Sequence, residues 1–330
     1  MGRRLLKTVP IVMLALVVLS CQLEEVREIK LAHGLTEDHS VHKGMLKFAE
    51  RVKEKSGGSL KIKIYPNGQL GSESQCLELL QIGSLGITKV SAAVMESFAP
   101  KYKVLSIPYI FQNDAHRFQI YDGPVGRDIL ESGQPYWLRG LCFYDAGSRS
   151  FYTRNRPIQS AKDVEGLKIR VMKSITANKM IKEMEGSPVP ISWGELYTAL
   201  QQGVVDGAEN NPPSFQLSRH YEICKYYSLD KHTAIPDVLI MSTIVWDRLS
   251  PQEQDWIETS ALESVVAQRA FWREAEAESL KIIKEAGVEV IEPDLTSFQD
   301  ATRNIVNEFS EDELLLPIIN KIKAAGEKAI

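Results

Sequence analysis

Short apolar segments alternate with longer segments of helical period along most of this chain, and this alternation restricts its fold more than any other feature. The segment Ile29–Ala32 is short and apolar except for Lys30, and the segment 41–55 that follows places Met45 and Phe48 on one helix face. Leu60–Ile64 then alternates strictly between apolar and polar residues, as a half-buried strand does. Strands that alternate with helices predict an α/β fold with mixed, mostly parallel sheets.

The same patterns predict the remaining strands and helices. Ser72 and Gln75 have the spacing of a capping box at the start of a helix, and Ser192 and Glu195 have the same spacing before another. Further strands are predicted at 86–90, 104–107, 140–144, 151–153 and 167–171, and further helices at 115–130, 175–184 and 196–202.

One predicted helix is unusually long. Ser250 followed by Pro251 has the pattern of an N-cap with proline at the first helical position, and helical periodicity then continues to about Ala286. A helix of this length can lie across two domains and tie them together. Because no Gly/Ser linker separates the halves, we expect the chain to cross between domains more than once.

The N-terminal residues have the pattern of an export signal. Three basic residues precede the apolar run Ile11–Leu19, which is far shorter than the roughly 20 apolar residues of a membrane-spanning helix. The run ends in Val18-Leu19-Ser20-Cys21, which resembles a lipobox. We therefore expect removal of residues 1–20, lipidation of Cys21 and a linker at 21–27, so that the protein faces the extracytoplasmic space or periplasm. Ordinary signal cleavage beside an incidental cysteine is the alternative.

The charge of the mature chain argues against nucleic acid as a partner. Removal of residues 1–20 takes away three of the 39 basic residues and none of the 43 acidic ones, which moves the net charge from −4 to about −7. Binding of a phosphate backbone needs basic stripes, and the sequence has none. About 310 mature residues are too many for one small core, so two domains are expected.

The mature chain has three cysteines besides the predicted lipidation site. Their odd number, wide spacing and apolar neighbours indicate buried thiols rather than a disulfide framework. The sequence does not decide whether one pair forms a disulfide among Cys76, Cys142 and Cys224.

Motifs of catalysis are absent from the sequence. It has no phosphate-binding loop, no HExxH, no CxxC and no G-x-S-x-G. His33, His39 and His42 lie close together, but no carboxylate or cysteine completes a set of metal ligands. We therefore expect neither a metal nor another cofactor, and an enzyme is the second interpretation.

Two long motifs resemble those of a known family. The first, within 147–171, contains GSRSFY and KDVEGLKIRV; the second, 195–211, reads ELYTALQQGVVDGAENN. Together with YPNGQLG at 65–71, they resemble the DctP-type solute-binding proteins of TRAP (tripartite ATP-independent periplasmic) transporters, and the similarity covers residues 28–325.

The resemblance implies a two-domain, periplasmic-binding-protein-like flytrap, in which the long helix bridges both domains and the ligand lies in the cleft between them. We expect domain I to comprise 28–147 with about 236–275, and domain II to comprise 148–235 with about 276–330. The resemblance also implies a binding subunit, expected to be a monomer, that captures an organic acid and delivers it to the membrane subunits of the transporter.

The resemblance assigns the ligand carboxylate to an arginine, and Arg170 falls at that position. The residues agree, because Ile169-Arg170-Val171 places a guanidinium at the end of an apolar strand, where a buried cation needs a partner. A guanidinium matches a carboxylate with two parallel hydrogen bonds. From the pattern alone, an internal Asp or Glu would serve equally well as that partner.

Three more residues of domain II match ligand-binding positions of the family. Asn210 matches an amide donor, although an Asn before Asn211-Pro212 could instead satisfy only its own turn. Arg149 matches a second arginine that many members use. Trp193 occupies a position at which members place an aromatic ring against the apolar face of the ligand, and ordinary core packing is the alternative.

Domain I is expected to contact the rest of the ligand. His33 follows the first strand, Glu73 begins a helix and Lys89 ends a strand, and these positions face an interdomain cleft in this fold. Glu73 could instead only complement its helix dipole, and Lys89 could be solvated. Asp145 and His39 are further candidates of the same kind.

The charged candidates of domain I favour a polyhydroxylated ligand, because charged groups bond well to sugar hydroxyls. With a carboxylate clamp, they predict an acidic sugar such as a hexuronate or an aldonate. C4-dicarboxylates, keto acids and sialic acid are other substrates of the family. There are two alternative functions: an enzyme that acts on a sugar acid in the cleft, or a sensor domain that binds one.

Overall fold

The computed structural model describes residues 26–327. The predicted signal sequence 1–20 and the predicted lipidation site Cys21 lie outside the described residues. Within residues 26–327 the chain forms two β-sheets with α-helices packed around them. No helix in this range is both long and apolar enough to span a bilayer.

Each sheet is built from separated parts of the chain. In residues 26–327 the strands are β1 Arg27–Ala32, β2 Leu60–Tyr65, β3 Ile87–Ser91, β4 Leu138–Tyr144, β5 Arg149–Thr153, β6 Lys168–Val171, β7 Ser187–Pro190, β8 Gly207–Asn210, β9 Tyr226–Thr233, β10 Asp237–Ser242 and β11 Glu289–Ile291. The helices are α1 Ser40–Lys55, α2 Glu73–Gln81, α3 Ala92–Met95, α4 Asp114–Asp122, α5 Pro124–Glu131, α6 Ile175–Glu183, α7 Leu196–Gln201, α8 Pro212–Leu217, α9 Thr243–Trp246, α10 Pro251–Glu285, α11 Leu295–Ser310 and α12 Leu316–Glu327.

The first sheet has the strand order β2-β1-β3-β10-β4. β1 pairs in parallel with β2 and β3, whereas β10 is antiparallel to β3 and β4. The carboxyl ends of β1, β3 and β4 therefore lie at one edge with the amino end of β10, where Ser91 pairs with Asp237. We call this edge the cavity edge, and the opposite edge, where β1, β3 and β4 begin, the basal edge.

The second sheet has the strand order β11-β9-β5-β8-β6-β7. β6 is parallel to β7 and β8, and β9 is parallel to β11, whereas β5 is antiparallel to β8 and β9. Arg149 at the start of β5 therefore lies at the same edge as Val171 and Asn210 at the ends of β6 and β8. Five of the nine strand pairings in the described residues are parallel, so the predicted mixed α/β fold is confirmed.

Apolar side chains are buried around both sheets. Phe48 and Leu239 belong to a core on one face of the first sheet, and Phe215 and Tyr227 belong to a core of the second. A further cluster is shared, because it includes side chains of the first sheet and also Phe151 and other side chains of the second. Burial of a large apolar side chain stabilises the folded state by about 1.5–3 kcal/mol, so the shared cluster ties the two sheets together.

The long helix α10 connects the two sheet regions. It begins at a capping box, in which Ser250 and Glu253 each accept a hydrogen bond from the backbone N–H of the other. It packs against α1 and β4 on the side of the first sheet and against α8 on the side of the second. The predicted long bridging helix is confirmed.

Two predicted elements are wrong. Residues 104–107 are not a strand, because Pro100–Ser106 forms a 3-10 helix that ends there. A short buried apolar run has the same composition in either state, and periodicity alone does not distinguish them. The predicted helix 115–130 is two helices, α4 and α5, divided at Gly123-Pro124, because proline lacks the N–H that a continuous helix needs.

The capping box predicted at Ser192 does not form. Its side chain makes no capping hydrogen bond, and a 3-10 turn, Trp193–Glu195, precedes α7. The Ser72 box is present as predicted, with Ser72 and Gln75 bonded reciprocally. The difference arises because a 3-10 turn at the start of the helix changes the spacing between Ser192 and the N–H groups that it would cap.

The last helix packs against the side of the first sheet. α12 contacts α4 and α5, and the buried ring of His116 lies 2.8 Å (Nε2) from the carbonyl oxygen of Ile322. The predicted domain division assigns 276–330 to domain II. α12 therefore lies across that boundary from α11, which packs against α6 and β9.

The three cysteines of the described residues are free and buried. The disulfide that the sequence left undecided is therefore not formed among them. Burial raises the pKa of the Cys224 thiol to about 12 and raises that of Cys142 further. These thiols stay protonated at neutral pH and act as small apolar side chains.

Candidate functional site

A cavity of about 490 Å³ lies between the facing edges of the two sheets. This volume is within the range of roughly 300–1,000 Å³ that small-molecule sites occupy. The first sheet contributes Lys89, Ser91 and Asp237, and the second contributes Arg149, Arg170 and Asn210. The cavity is therefore formed by strand ends from both sheets, which is where α/β folds bind ligands.

Arg170 is a buried cation of this cavity without a carboxylate partner. Only 2% of the residue is exposed, and its Nε donates to the carbonyl of Ile191 at 2.9 Å. Its Nη1 is buried without a hydrogen-bond partner, and within the described residues Arg170 forms no salt bridge. Burial lowers the pKa of Arg170 from its ordinary value, and the charges of Glu209 and Glu73, neither of which is bonded to it, offset the loss of water only in part. The internal Asp or Glu that the sequence allowed as its partner is not there.

Trp193 lies beside this arginine. Its ring centre is 5.7 Å from the guanidinium carbon of Arg170 and 5.2 Å from the ring centre of His220. The ring is half-buried and lines the cavity, so it combines the two roles considered from the sequence, packing and exposure to the ligand space. A ring in this place limits the orientations of the guanidinium.

Arg149 has an internal partner, which the sequence did not reveal. Its Nε is 2.5 Å from Oε2 of Glu209, and its Nη2 is 3.0 Å from Oε1 of the same carboxylate. Nη1 donates to Oδ1 of Asn210 at 2.8 Å. Arg149 lines the cavity, but its charge is already neutralised by Glu209.

Asn210 is oriented by two donors. Its Oδ1 accepts from Nη1 of Arg149 at 2.8 Å and from the backbone N–H of Asn211 at 2.9 Å. Because the oxygen is used by both donors, the amide nitrogen is left to donate. This is the orientation that the predicted amide donor needs.

Behind Arg149 lies a buried chain of charges that sequence reasoning missed. Nε2 of His232 is 3.4 Å from Oε2 of Glu209, and its Nδ1 is 2.6 Å from Oδ2 of Asp230. Burial alone would lower the pKa of His232, but the Asp230 and Glu209 carboxylates raise it to about 9. Burial alone would raise the pKa of Glu209, but the Arg149 and His232 charges hold it at about 2. Both groups are therefore charged at neutral pH.

The first sheet provides a wall with two carboxylates and one ammonium. Nζ of Lys89 is 3.0 Å from Oε1 of Glu73 and 3.1 Å from Oδ1 of Asp237, and Glu73 also accepts from the N–H of Ser91. Burial would lower the pKa of Lys89, but the two carboxylates raise it above its ordinary value. Lys89 is thus buried and paired rather than solvated.

Asp237 is a cavity residue that sequence reasoning missed. It begins β10 directly after Pro236, and an acidic residue at the amino end of an apolar strand was the available signal. Burial raises the pKa of Asp237 in spite of the nearby Lys89 ammonium. The wall therefore carries one more negative than positive charge when all three groups are ionised.

Two predicted site residues do not reach the cavity. Nε2 of His33 is 2.9 Å from Nδ1 of His42, and its Nδ1 accepts from the N–H of Leu35. Burial, followed by the Lys89 charge, lowers the pKa of His33 to about 2, so the ring is a neutral packed group. The carboxylate of Asp145 is 3.0 Å from Nη2 of Arg117. Each of these two side chains is thus bonded to a neighbouring side chain, His42 or Arg117, and neither lines the cavity.

His39 has a structural role. Its Nδ1 accepts from the N–H of Val41 at the start of α1, and its Nε2 lies 3.3 Å from Oγ of Ser214 in α8. Among the described residues, no group of three or more His, Cys, Asp or Glu side chains is arranged to hold a metal ion.

The site can therefore engage an anionic group and neighbouring hydroxyls. Arg170 offers an unpaired cation, and Asn210 offers an amide donor beside it. The opposite wall offers carboxylates and an ammonium, and these groups accept from and donate to hydroxyls respectively. A ligand with one carboxylate and several hydroxyl groups matches this distribution.

Residues 31–312 match the family described as DctP, bacterial extracellular solute-binding protein, family 7. The chain is 39% identical over 278 residues to the uncharacterised protein YiiZ of Salmonella typhimurium, which covers 84% of this chain and 85% of that protein.

Solved structures of TRAP periplasmic solute-binding proteins are also similar to this chain. A TRAP periplasmic solute-binding protein from Bradyrhizobium sp. BTAi1, in complex with α/β-D-galacturonate, superposes with a TM-score of 0.89 at 37% identity and covers 90% of this chain and 100% of that one. Another from Anaerococcus prevotii, with bound α/β-D-glucuronate, has a TM-score of 0.89 at 34% identity and covers 91% and 98% respectively.

Proposed function

The chain belongs to the DctP family, the bacterial extracellular solute-binding proteins of family 7, and on this premise we propose that it captures a hexuronate in the cavity between its two sheets. The resemblance drawn from the motifs at 147–171 and 195–211 is confirmed. The chain is a solute-binding subunit of a TRAP transporter, which binds a small organic acid outside the cytoplasm and works with membrane subunits.

One observation is the main support for an anionic ligand. Nη1 of Arg170 is buried, faces no internal acceptor and belongs to a residue that lines the cavity. A buried unpaired cation is costly, and a ligand carboxylate would remove that cost by supplying two parallel hydrogen bonds. Arg170 therefore binds the carboxylate, and Asn210 donates to it or to the adjacent hydroxyl.

The opposite wall supports a sugar acid over a simple dicarboxylate. Glu73, Lys89 and Asp237 present acceptors and a donor but no unpaired cation, so a second ligand carboxylate would meet excess negative charge. Hydroxyl groups would instead donate to Glu73 and Asp237 and accept from Lys89. The relatives from Bradyrhizobium and Anaerococcus hold galacturonate and glucuronate, ligands that carry this combination of groups.

Ligand capture proceeds by closure of the two domains. Domain I comprises 28–147 with about 236–275, and domain II comprises 148–235 with about 276–330, with α12 packed back on domain I. The carboxylate engages Arg170 of domain II, and the Glu73–Lys89–Asp237 wall of domain I then closes over the hydroxyls. The ligand favours the closed form only through its greater affinity for that form.

The protein acts as a monomer without catalysis, held at the membrane by a lipid on Cys21. Its sequence Val18-Leu19-Ser20-Cys21 supports lipidation. A radioactive or alkyne-labelled fatty acid fed to cells would mark the full-length protein, and Cys21→Ser would remove that label. An unlabelled wild-type protein would contradict the anchor without affecting the ligand proposal.

A thermal-shift comparison tests the ligand. Mature protein, residues 22–330, is refolded to remove any bound ligand and is mixed with galacturonate, glucuronate, galactose, succinate and sialic acid. Ligand at 100 times its Kd stabilises by about 2.7 kcal/mol, so a hexuronate should raise Tm clearly. Galactose is the matched control, because it differs from galacturonate only in carrying a hydroxymethyl group in place of the carboxylate. A shift with galactose as large as with galacturonate would refute the carboxylate clamp.

The alternative of a cleft enzyme is tested in the same samples. NMR spectra of galacturonate after long incubation should show unchanged ligand if the protein only binds it. New product resonances, absent when Arg170→Ala protein is used, would instead establish an enzyme that acts on the sugar acid.

A further inference from the structure

An exposed apolar patch lies at the basal edge of the first sheet, away from the cavity. Ile82 is 68% exposed and precedes β3, and Trp137 is 52% and Tyr136 42% exposed directly before β4. The side-chain amide of Gln81 donates to the carbonyl of Tyr136 at 3.1 Å, which joins the two segments. We call Ile82, Tyr136 and Trp137 the basal patch.

The basal patch differs from other exposed apolar residues of this chain. Among the large apolar side chains that are exposed in residues 26–327, Tyr136 and Trp137 are the two aromatic ones, and they are adjacent. Single exposed aliphatic residues are common on protein surfaces and need no explanation, whereas grouped aromatics mark contact surfaces. A contact role is therefore indicated for the patch.

The backbone of Trp137 gives an independent indication. Its φ of 62° and ψ of 23° lie in the left-handed region, which glycine and asparagine adopt readily and a bulky residue does not. Its N–H bonds to Gln134 and its carbonyl accepts from Thr243, and a glycine would make both bonds. The turn itself does not require an indole, so the exposed ring is kept at a conformational cost for another reason.

The chain enters the first sheet at this same edge. Arg27, the first residue of β1, bonds to Ser59 through its N–H and to the carbonyl of Arg248 through its guanidinium. Four residues lie between Cys21 and Val26, so the Cα atoms of these two residues are at most about 18 Å apart. β1 and β4 are three strand spacings apart, which is about 14 Å. A lipid on Cys21 would thus hold the basal edge within reach of the bilayer.

We propose that the basal patch contacts the headgroup region of a phospholipid bilayer and lays the basal edge of domain I on the membrane. Tryptophan and tyrosine favour this region because each has an apolar ring and a polar tip, and isoleucine adds apolar area. The inference depends on the proposed lipid anchor to bring the patch to the surface. The cavity edge then points away from the bilayer, about one strand length from it, and stays open to diffusing ligand.

Chemical tethering tests the patch without relying on natural lipidation. Mature protein, residues 21–330, is coupled through Cys21 to maleimide-bearing vesicles of phosphatidylethanolamine and phosphatidylglycerol that contain brominated phosphatidylcholine. The other three thiols are buried, so coupling is confined to Cys21. Bromine quenches tryptophan only at close range, and the chain has five tryptophans. Quenching of the wild-type protein should disappear in Trp137→Phe.

The neighbours of Trp137 are tested with the reporter in place. Ile82→Ser/Tyr136→Ser should lose most of the quenching, because the ring is no longer held in the bilayer surface. Val266→Ser is the matched control: Val266 is 74% exposed on α10 and outside the patch, so its loss should leave quenching unchanged. Trp137→Gly should keep or raise Tm, which would show that the indole is not there for folding.

Three results would overturn the proposal. Equal quenching of wild type and Trp137→Phe would place the contact at another tryptophan. Undiminished quenching in Ile82→Ser/Tyr136→Ser would assign it to the tether alone. Self-association of untethered protein in sedimentation, lost in the same double variant, would assign the patch to a second copy of the chain. Hexuronate-induced Tm shifts should be the same in all patch variants. A failure of the membrane proposal can therefore be distinguished from a failure of the ligand proposal.

Discussion

The guanidinium of Arg149 and the carboxylate of Glu209 form a buried two-point ion pair, with Nε 2.5 Å from Oε2 and Nη2 3.0 Å from Oε1. This pair neutralises one of the two arginines that line the cavity and directs its remaining group toward Asn210. Of the two arginines, Arg170 keeps a buried donor, Nη1, that has no acceptor. The two arginines therefore have different roles: Arg149 holds Glu209 and Asn210 in place, and Arg170 is proposed to bind the ligand carboxylate.

Arg170→Ala should abolish most hexuronate binding. The ligand carboxylate would be desolvated without its partner, which costs about 3 kcal/mol or more, a hundredfold or greater rise in Kd. Isothermal titration calorimetry measures the change, and Arg219→Ala is the matched control on an exposed arginine. Arg170 has no internal carboxylate to lose and gives up only its Nε bond to Ile191 and its contact with Trp193, so the Tm of the unliganded variant should fall far less than that of a variant that breaks a buried ion pair. Near-wild-type affinity would contradict the clamp.

Glu209→Gln should destabilise the unliganded protein. The substitution leaves the Arg149 and His232 charges buried without their shared carboxylate, and breaking a buried pair costs about 3–5 kcal/mol. Urea denaturation gives the free energy of unfolding. Glu308→Gln, which removes the exposed salt bridge to Lys179, is the control and should have no measurable effect. Equal effects of the two substitutions would show that the buried pair is not a structural determinant.

His232 should make stability depend on pH above neutrality. Its pKa is about 9 in the folded protein against 6.5 ordinarily, so its stabilisation is complete below pH 6.5 and is lost as pH rises through 9. The loss is up to about 3 kcal/mol. Denaturation curves at pH 6 and pH 9.5 should differ in the wild type and differ less in His232→Gln. A pH-independent wild type would mean that His232 is not charged.

Glu209 should make the stability of the folded protein depend on pH at the acid end. Its pKa is about 2 in the folded protein against 4.5 ordinarily, so its stabilisation is present above pH 4.5 and is lost as pH falls toward 2. Glu209→Gln should therefore flatten the acid side of the stability profile. An acid limb that is unchanged in this variant would assign acid unfolding to other carboxylates.

Lys89→Met should impair binding and stability together. Glu73 and Asp237 would face each other without the ammonium that separates their charges, and the ligand hydroxyls would lose a donor. We expect at least a tenfold rise in Kd for galacturonate, with a lower Tm at pH 7 that recovers partly as acid protonates a carboxylate. Calorimetry and thermal melts measure both, with Lys47→Met as an exposed control. Unchanged affinity would remove the wall from the ligand site.

Local patterns in the sequence determined most of the architecture. The alternation at Ile29–Ile64 specified strands and a helix, and Ser250-Pro251 specified where the longest helix begins, because capping and amphipathic period act over a few residues. The resemblance of the motif within 147–171 pointed to Arg170, whereas its local pattern, a cation at the end of an apolar strand, left an internal carboxylate as an equal alternative. The patterns failed at Pro100–Ser106, where a short buried run fits either state.

Only the tertiary structure decided which charges are paired. Arg149 and Glu209 are 60 positions apart, and Lys89 and Asp237 are 148 apart, so no local pattern joins them. The same holds for His33, whose place at a strand end suggested the cavity but whose ring bonds to His42. A charge in a folded protein is governed by its distance to other charges and by its burial. Both are properties of the packed chain, whereas helices, strands and their caps are already encoded in short segments of sequence.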